Sequence, residues 1–211
     1  MLKDSLLLDS ARPLSDETVN TADGRPEHCL PGDHKSCMWY ALRVSYSREL
    51  KVQAKLQEMG IRTFVPMMWK SRTIAGKTER KLVPAVGNLC FAYWTRQDLE
   101  AFIRGYGEDS PVHLYWDRTA DRPLVVREKA MEDFMKVAGT MDEDLIYITE
   151  ISSKLRDGQM VKLASGPFEG VEGRVVRIRK SRRIMVEIPG MLAVASAYVP
   201  LEKAGCLNIV E

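Results

Sequence analysis

Six basic residues, Arg174, Arg177, Arg179, Lys180, Arg182 and Arg183, fall in the stretch from 174 to 183 with no acid among them. A second basic run, KSRTIAGKTERK from Lys70 to Lys81, has only Glu79 against it. Cations clustered in this way attract a phosphate backbone, although a solvated hairpin face is the commoner origin of such runs. Other chemistries have weaker support. His28, Cys29, His34 and Cys37 stand close together in HCLPGDHKSC and are of zinc-ligand type, but no apolar core surrounds them. The four cysteines, at 29, 37, 90 and 206, match no zinc spacing, and all four are expected to be reduced. Cys90 and His113 each fall in an expected strand, but a Cys–His nucleophile needs contact and an activating neighbour, and nothing in the sequence points to either. The glycines between Leu163 and Ile178 lack the Lys-Ser/Thr of a phosphate-cradling loop. The expectation is therefore a protein that binds rather than catalyses, with no catalytic residue, metal or cofactor.

The chain has 211 residues, enough for two modest domains, with 45% apolar and 28% charged residues and a net charge of +2. No apolar run approaches the roughly 20 residues of a membrane span. Near the start, Leu6-Leu7-Leu8 is bracketed by Asp4 and Asp9 and is too short for a signal peptide, so a cytoplasmic location is expected.

Residues 1–36 are rich in Ser, Asp, Thr, Pro and Gly and read as a mobile extension. Met38, Tyr40, Leu42 and Val44 alternate with Trp39, Ala41 and Arg43, which predicts a strand buried on both faces. SRELKVQAKLQEMG predicts a helix capped by Ser47, with Glu49 at the positive end of its dipole, Val52, Leu56 and Met59 as an apolar stripe, and Gly60 at its end. IRTFVPMMW predicts a strand, followed by a basic hairpin with Gly76 at its tip and a strand from Leu89 to Thr95. RQDLEAFIRG predicts a short helix facing inward through Leu99, Phe102 and Ile103. VHLYW and PLVV predict strands on either side of a turn, and REKAMEDFMKVAG a helix with Met131, Phe134, Met135 and Ala138 on its core side. LIYITE reads as the last strand of this half. The interleaving predicts an α+β domain over 37–150, a mostly antiparallel sheet with flanking helices.

A polar linker at 151–157 leads to a second domain at 158–211. There MVKLAS, RVVRIR, IMVEIP and AYVPLE read as short strands of a small SH3-like β-barrel. LASGPFEGVEGRVVRI belongs to it. Gly166 and Gly170 supply backbone freedom for sharp bends, Pro167 stiffens the turn, and Gly173 lets the next strand start against close backbone. Phe168 either lies over the barrel mouth or presents its ring to a partner. Val175 and Arg177 then face one way, Val176 and Ile178 the other.

GQMVKLASGPFEGVEGRVVRI resembles the KOW motif of the NusG transcription factors through Gly158, Val161, Gly166, Pro167, Phe168, Gly170, Gly173, Val175 and Ile178. WYALRVSYSRELKVQAKLQEMGIRTFVPMM resembles the opening of the NusG amino-terminal domain through Trp39, Tyr40, Glu49, Val52, Leu56 and Pro66. The family's Phe-Pro-Gly-Tyr is absent from LVPAVGNLCFAY, which keeps Pro84. In that departure, and in MEDFMKV, the chain is similar to the specialised paralogues of capsular-polysaccharide operons. The resemblance implies a monomeric transcription elongation and antitermination factor that has no cofactor, stays off membranes and reduces pausing or termination. Its front domain would receive the clamp coiled coil of RNA polymerase on an apolar patch, for which Trp39, Tyr40, Val83, Leu89 and Phe91 are the candidates by position. Trp and Tyr at the start of a central strand are more often packing than contact, so some of the five are expected to be buried and uninvolved. Arg72, Lys77, Arg80 and Lys81 of the hairpin would touch upstream or non-template DNA. The KOW domain would recruit a ribosomal protein, a termination factor or RNA. The rival reading is a KOW-containing RNA- or ribosome-binding translation factor.

Overall fold

The computed structural model describes residues 37–74, 77–151, 155, 158–178 and 180–196, with 74, 77 and 207–209 as backbone only. The amino-terminal extension, most of the His/Cys cluster, the hairpin tip at Gly76 and the AYVPLE segment lie outside the described residues.

The front half runs β1 (Met38–Val44), α1 (Glu49–Glu58), β2 (Arg62–Phe64), β3 (Met67–Ile74), β4 (Lys77–Pro84), β5 (Leu89–Trp94) and α2 (Arg96–Arg104). It continues through β6 (Val112–Leu114), β7 (Trp116–Asp117), β8 (Arg122–Pro123), β9 (Val125–Val126) and α3 (Glu128–Ala138). The second half holds β10 (Ile146–Ile148), β11 (Met160–Leu163), β12 (Glu172–Ile178), β13 (Ser181–Ile188), β14 (Leu192–Ala195) and β15 (Leu207–Ile209). The front sheet has the order β2-β5-β1-β6, with β9 also pairing β1, and its pairs are antiparallel.

Alternation along β1 and β5 divides the side chains between two cores. Trp39, Ala41, Leu89, Phe91 and Tyr93 point to the face covered by α3. Tyr40, Leu42, Val44, Cys90, Ala92 and Trp94 point to the face covered by α1 and α2. Both strands are therefore apolar at almost every position, as a sheet covered on both sides requires.

The cap expected at Ser47 is not made. Arg48 is the N-cap residue of α1 and makes no side-chain cap bond, while Tyr46 and Ser47 form a tight turn at φ 62° and 50°. Glu49 instead turns into the core, where its carboxylate accepts the Asn88 N–H at 2.6 Å and ties α1 to the β4–β5 connection. Met59 leaves the stripe and is exposed, because the helix ends there. Its end is a Schellman turn: Gly60, at φ 75°, donates to Gln57 O at 2.9 Å and Ile61 donates to Leu56 O at 3.0 Å. At α2, Thr95 Oγ1 accepts the Asp98 N–H at 3.2 Å and donates to Asp98 Oδ2 at 2.6 Å. The segment expected as one strand, IRTFVPMMW, breaks at Pro66: β2 joins the front sheet and β3 leaves it.

The second sheet has the order β10-β14-β13-β12-β11-β15, antiparallel throughout. Ile146–Ile148, expected as the last strand of the front half, pairs with β14 instead. Strand β14 is not among the strands expected from the sequence; its four residues are all buried, so it shows no alternation. In the β11–β12 connection Gly166 and Gly170 take φ 89° and 81°, conformations that a residue with a Cβ rarely adopts.

Helix α3 lies between the two sheets. Met131, Phe134, Val137 and Ala138 share one apolar cluster with Trp39 and Phe91 on the front sheet and with Val161, Ile184, Val186 and Ile188 on the second. Polar bonds fasten the helix to the β11–β12 loop: Lys129 Nζ donates to Gly170 O at 2.9 Å, Lys136 Nζ to Glu169 O at 2.6 Å, and the Glu172 N–H to Asp133 Oδ2 at 3.2 Å.

Candidate functional site

The most exposed regular element of the front half is the β3–β4 ribbon. Its register runs from Met67↔Pro84 to Ile74↔Lys77, and its strands pair with no strand of either large sheet. A two-stranded ribbon is marginal alone, so its base is anchored. The Ala85 N–H donates to Pro66 O at 2.8 Å, Met67 packs on the core under α1 and α2, and Tyr147 Oη donates to Met67 O at 3.3 Å. Burial pushes the Tyr147 phenol up to about 12, so it stays a donor at neutral pH.

Directly paired residues share a face of the ribbon. One face carries Met68 and Val83, then Lys70 opposite Lys81, then Arg72 opposite Glu79. The other carries Trp69 opposite Leu82 and Ser71 opposite Arg80. The Arg80 guanidinium lies 5.2 Å from the Trp69 ring centroid and pairs with Glu143, both partners being exposed. The sequence candidates for nucleic-acid contact therefore differ in availability. Arg72 and Lys81 are exposed on one face, Arg80 is engaged on the other, and Lys77 enters through its backbone pairing with Ile74. The direct Lys70–Lys81 pairing sets like charges opposite each other, which costs the free protein a few tenths to about 1 kcal/mol unless an anion neutralises them.

The apolar candidates do not form one surface. Trp39, Tyr40, Leu89 and Phe91 are each at most 1% exposed. Tyr40 points to the α1/α2 side, and the other three point to the α3 side. Val83 alone of the five is half-buried, on the ribbon opposite Met68. Large apolar side chains reach solvent at the base of the ribbon, at Met68 and Trp69, with Leu82, Val83 and Pro84 half-buried beside them. The signal for this patch lies in the sequence, in the apolar ends MMW and LVP of an otherwise basic hairpin.

Cys90 and His113 are not brought together. Cys90 shares the face of its partner Leu42, whereas His113 pairs with Arg43, on the opposite face. Burial, followed by the charge of Glu49, pushes the Cys90 thiol up to about 12, far from a nucleophile's range. Cys37 is disulfide-bonded, against the expectation that all the cysteines are reduced. Of the glycine-rich motif residues, Phe168 is half-buried and packs on the core around α3, so its ring is not free in this arrangement. Gly158 and Gly173 sit against the backbone of neighbouring strands. No helix among the described residues is long and apolar enough to cross a membrane.

Taken together, these features define an α+β protein that offers surfaces: a doubly covered antiparallel sheet, a protruding basic ribbon with an apolar base, and a second antiparallel sheet. Residues 38–135, from β1 into α3, match the family model described as "NusG: Transcription termination factor nusG". That stretch, a little under half of the chain, is similar to the NusG family, and the α+β fold is the one expected from the sequence. Among solved structures the chain is similar to that of "Domain interaction in Thermotoga maritima NusG", at 19% identity and a TM-score of 0.41, covering 83% of this chain and 98% of that one. No curated protein matches the sequence.

Proposed function

We propose that the protein is a transcription elongation and antitermination factor that binds RNA polymerase through its front domain. The observation that carries this reading is the match of residues 38–135 to the NusG family model. The second sheet, with its Gly158/Gly166/Gly170/Gly173 framework, is read as the KOW domain, which tethers a further partner. The departure at LVPAVGNLCFAY supports placing the protein with the antiterminators of extracellular-polysaccharide operons. The test is run-off transcription with purified polymerase on a template that pauses. Added protein shortens the pauses or raises read-through, and unchanged pausing overturns the assignment.

The docking patch is assigned to the base of the ribbon rather than to the buried sheet face. Exposed apolar side chains beside a ribbon make a contact surface in which a few anchors supply most of the binding energy. Met68→Ser combined with Val83→Asp is expected to weaken polymerase binding by tenfold or more, as removal of a hot spot does, with the melting temperature little changed because both side chains reach solvent. Full binding by the folded double variant would remove the patch from the proposal.

The ribbon's cations are assigned to DNA phosphates next to the docked polymerase. Replacing Arg72, Arg80 and Lys81 by Gln is expected to flatten the salt dependence of binding to an elongation complex, by about 0.9 in the log–log slope for each phosphate no longer neutralised. An unchanged slope in a titration of affinity against salt would reject the DNA role while leaving polymerase docking in place.

A further inference from the structure

The basic run of the second sheet separates into structural and unassigned cations. Arg174 Nη1 donates to Gly158 O at 3.0 Å. Arg183 is buried and its Nη1 donates to Asp144 O at 2.6 Å and to Ser196 O at 2.8 Å. Both hold the fold together. Arg177, Lys180 and Arg182 are exposed, and among the described residues their side chains make no hydrogen bond or ion pair.

These three cluster at the tip of the β12–β13 hairpin against three local rules. Arg177 pairs directly with Arg182, so two guanidinium groups share one face at cross-strand distance. Ile178↔Ser181 closes the turn, and Lys180 within it takes φ 65°, a position that glycine or asparagine fills at lower cost. From Gly173 to Val186 there is no carboxylate to neutralise the group. Agreement broken at several levels in one place marks a functional site, and what would relieve the repulsion is an anion with several regularly spaced charges.

The shape and composition narrow that anion. A two-stranded ribbon fits the major groove of B-form DNA, about 12 Å wide. Arg forks match phosphate oxygens in a bidentate way. Platforms for single strands stack bases on aromatic rings, and β12, β13 and their turn contain no aromatic residue. We propose that this hairpin tip is a sequence-independent site for duplex DNA, in which Arg177, Lys180 and Arg182 contact backbone phosphates flanking a groove. The site is separate from the β3–β4 ribbon and requires no polymerase.

The test uses the full chain alone, with fluorescence anisotropy of a short labelled DNA duplex of arbitrary sequence over a range of salt. The R177Q/K180Q/R182Q variant is expected to lower the log–log salt slope by about 2.7, three phosphates at ~0.9 each. The same slope decrement is expected when the variant is built on R72Q/R80Q/K81Q. Its melting temperature should be equal to or above that of the parent, because it removes a like-charge pair. An unchanged slope, no binding of duplex at low salt, or binding of single-stranded DNA as tight as that of the duplex would each overturn the site. Displacement of the duplex by a polyglutamate peptide at equal charge would reassign the tip to an acidic protein segment. No polymerase enters the measurement, so its outcome and that of the pausing assay are read independently.

Discussion

Phe91→Ser is expected to unfold the front sheet rather than to remove a docking contact. Phe91 is fully buried in the middle of β5, in register with Ala41 on one side and Phe64 on the other. Its ring stands edge-on to Phe134 of α3 at 6.0 Å, and Phe134 stands edge-on to Phe64 at 6.1 Å. Truncating a buried Phe to Ala costs about 3–5 kcal/mol in transfer energy and cavity. The serine hydroxyl adds about 1–3 kcal/mol if it finds no partner. That sum is comparable with the whole stability of an ordinary domain, about 5–15 kcal/mol. Thermal unfolding followed by far-UV circular dichroism should show a drop of at least ten degrees or so, at about 2–4 °C per kcal/mol for a chain of this size. Leu89→Asp is expected to act in the same way, since Leu89 is buried in the same core. A Phe91→Ser protein with a native melting temperature and no polymerase binding would show that the ring is exposed in the functional state, and would return the docking site to the sheet.

The contrast between Phe91 and Val83 shows what a sequence read by period and by resemblance can locate. Period two correctly gives β1 and β5, and the apolar residues at almost every position correctly imply a sheet covered on both faces. That reading already conflicts with a patch containing both Trp39 and Tyr40, because adjacent strand residues cannot share a face. Resemblance by position supplies those two residues without the constraint of pleating. The helices are legible for the same reason as the strands: Val52 and Leu56 of α1, Leu99 and Phe102 of α2, and Met131, Phe134 and Ala138 of α3 are buried at helical spacing. The features that escape depend on long-range pairing. Nothing local tells Ile146–Ile148 to join β14 rather than the front sheet. Nor does a local rule send Glu49 to the Asn88 N–H in place of the cap that Ser47 could have made. The basic runs are legible as charge, but only the bonds of Arg174, Arg183 and Arg80 separate cations that build the fold from those left free to bind.

Gly158→Ala and Gly173→Ala are the next most damaging changes expected, for a reason different from the one that fixes Gly166. A Cβ on Gly173 would meet Ile184 Cγ2 and Met185 O, both at 2.7 Å. On Gly158 it would meet Val175 O at 2.4 Å and Val176 Cγ1 at 3.3 Å. Two of these obstacles, Met185 O and Val175 O, are backbone atoms of paired strands. Arg174 pairs with Met185, and the Val175 N–H donates to Gln159 O at 2.9 Å, so relief requires breaking the ladder rather than rotating a side chain. Overpacking of this kind costs about 1–3 kcal/mol where side chains can shift, and more where they cannot; Gly158→Ala is therefore expected to be the worse of the two. Gly166 has open space around its missing Cβ but sits at φ 89°, so Gly166→Ala should cost only the backbone strain, on the order of 1 kcal/mol. Because α3 shares its core with this sheet, disruption of the sheet should also expose Phe134 and Met131 and lower the apparent stability of the front sheet. Denaturant titrations of the three variants, read for midpoint and cooperativity, should rank them Gly158, Gly173, Gly166 from most to least destabilised. A Gly166→Ala protein less stable than Gly173→Ala would mean that conformation, and not close approach of the strands, dictates where this sheet needs glycine.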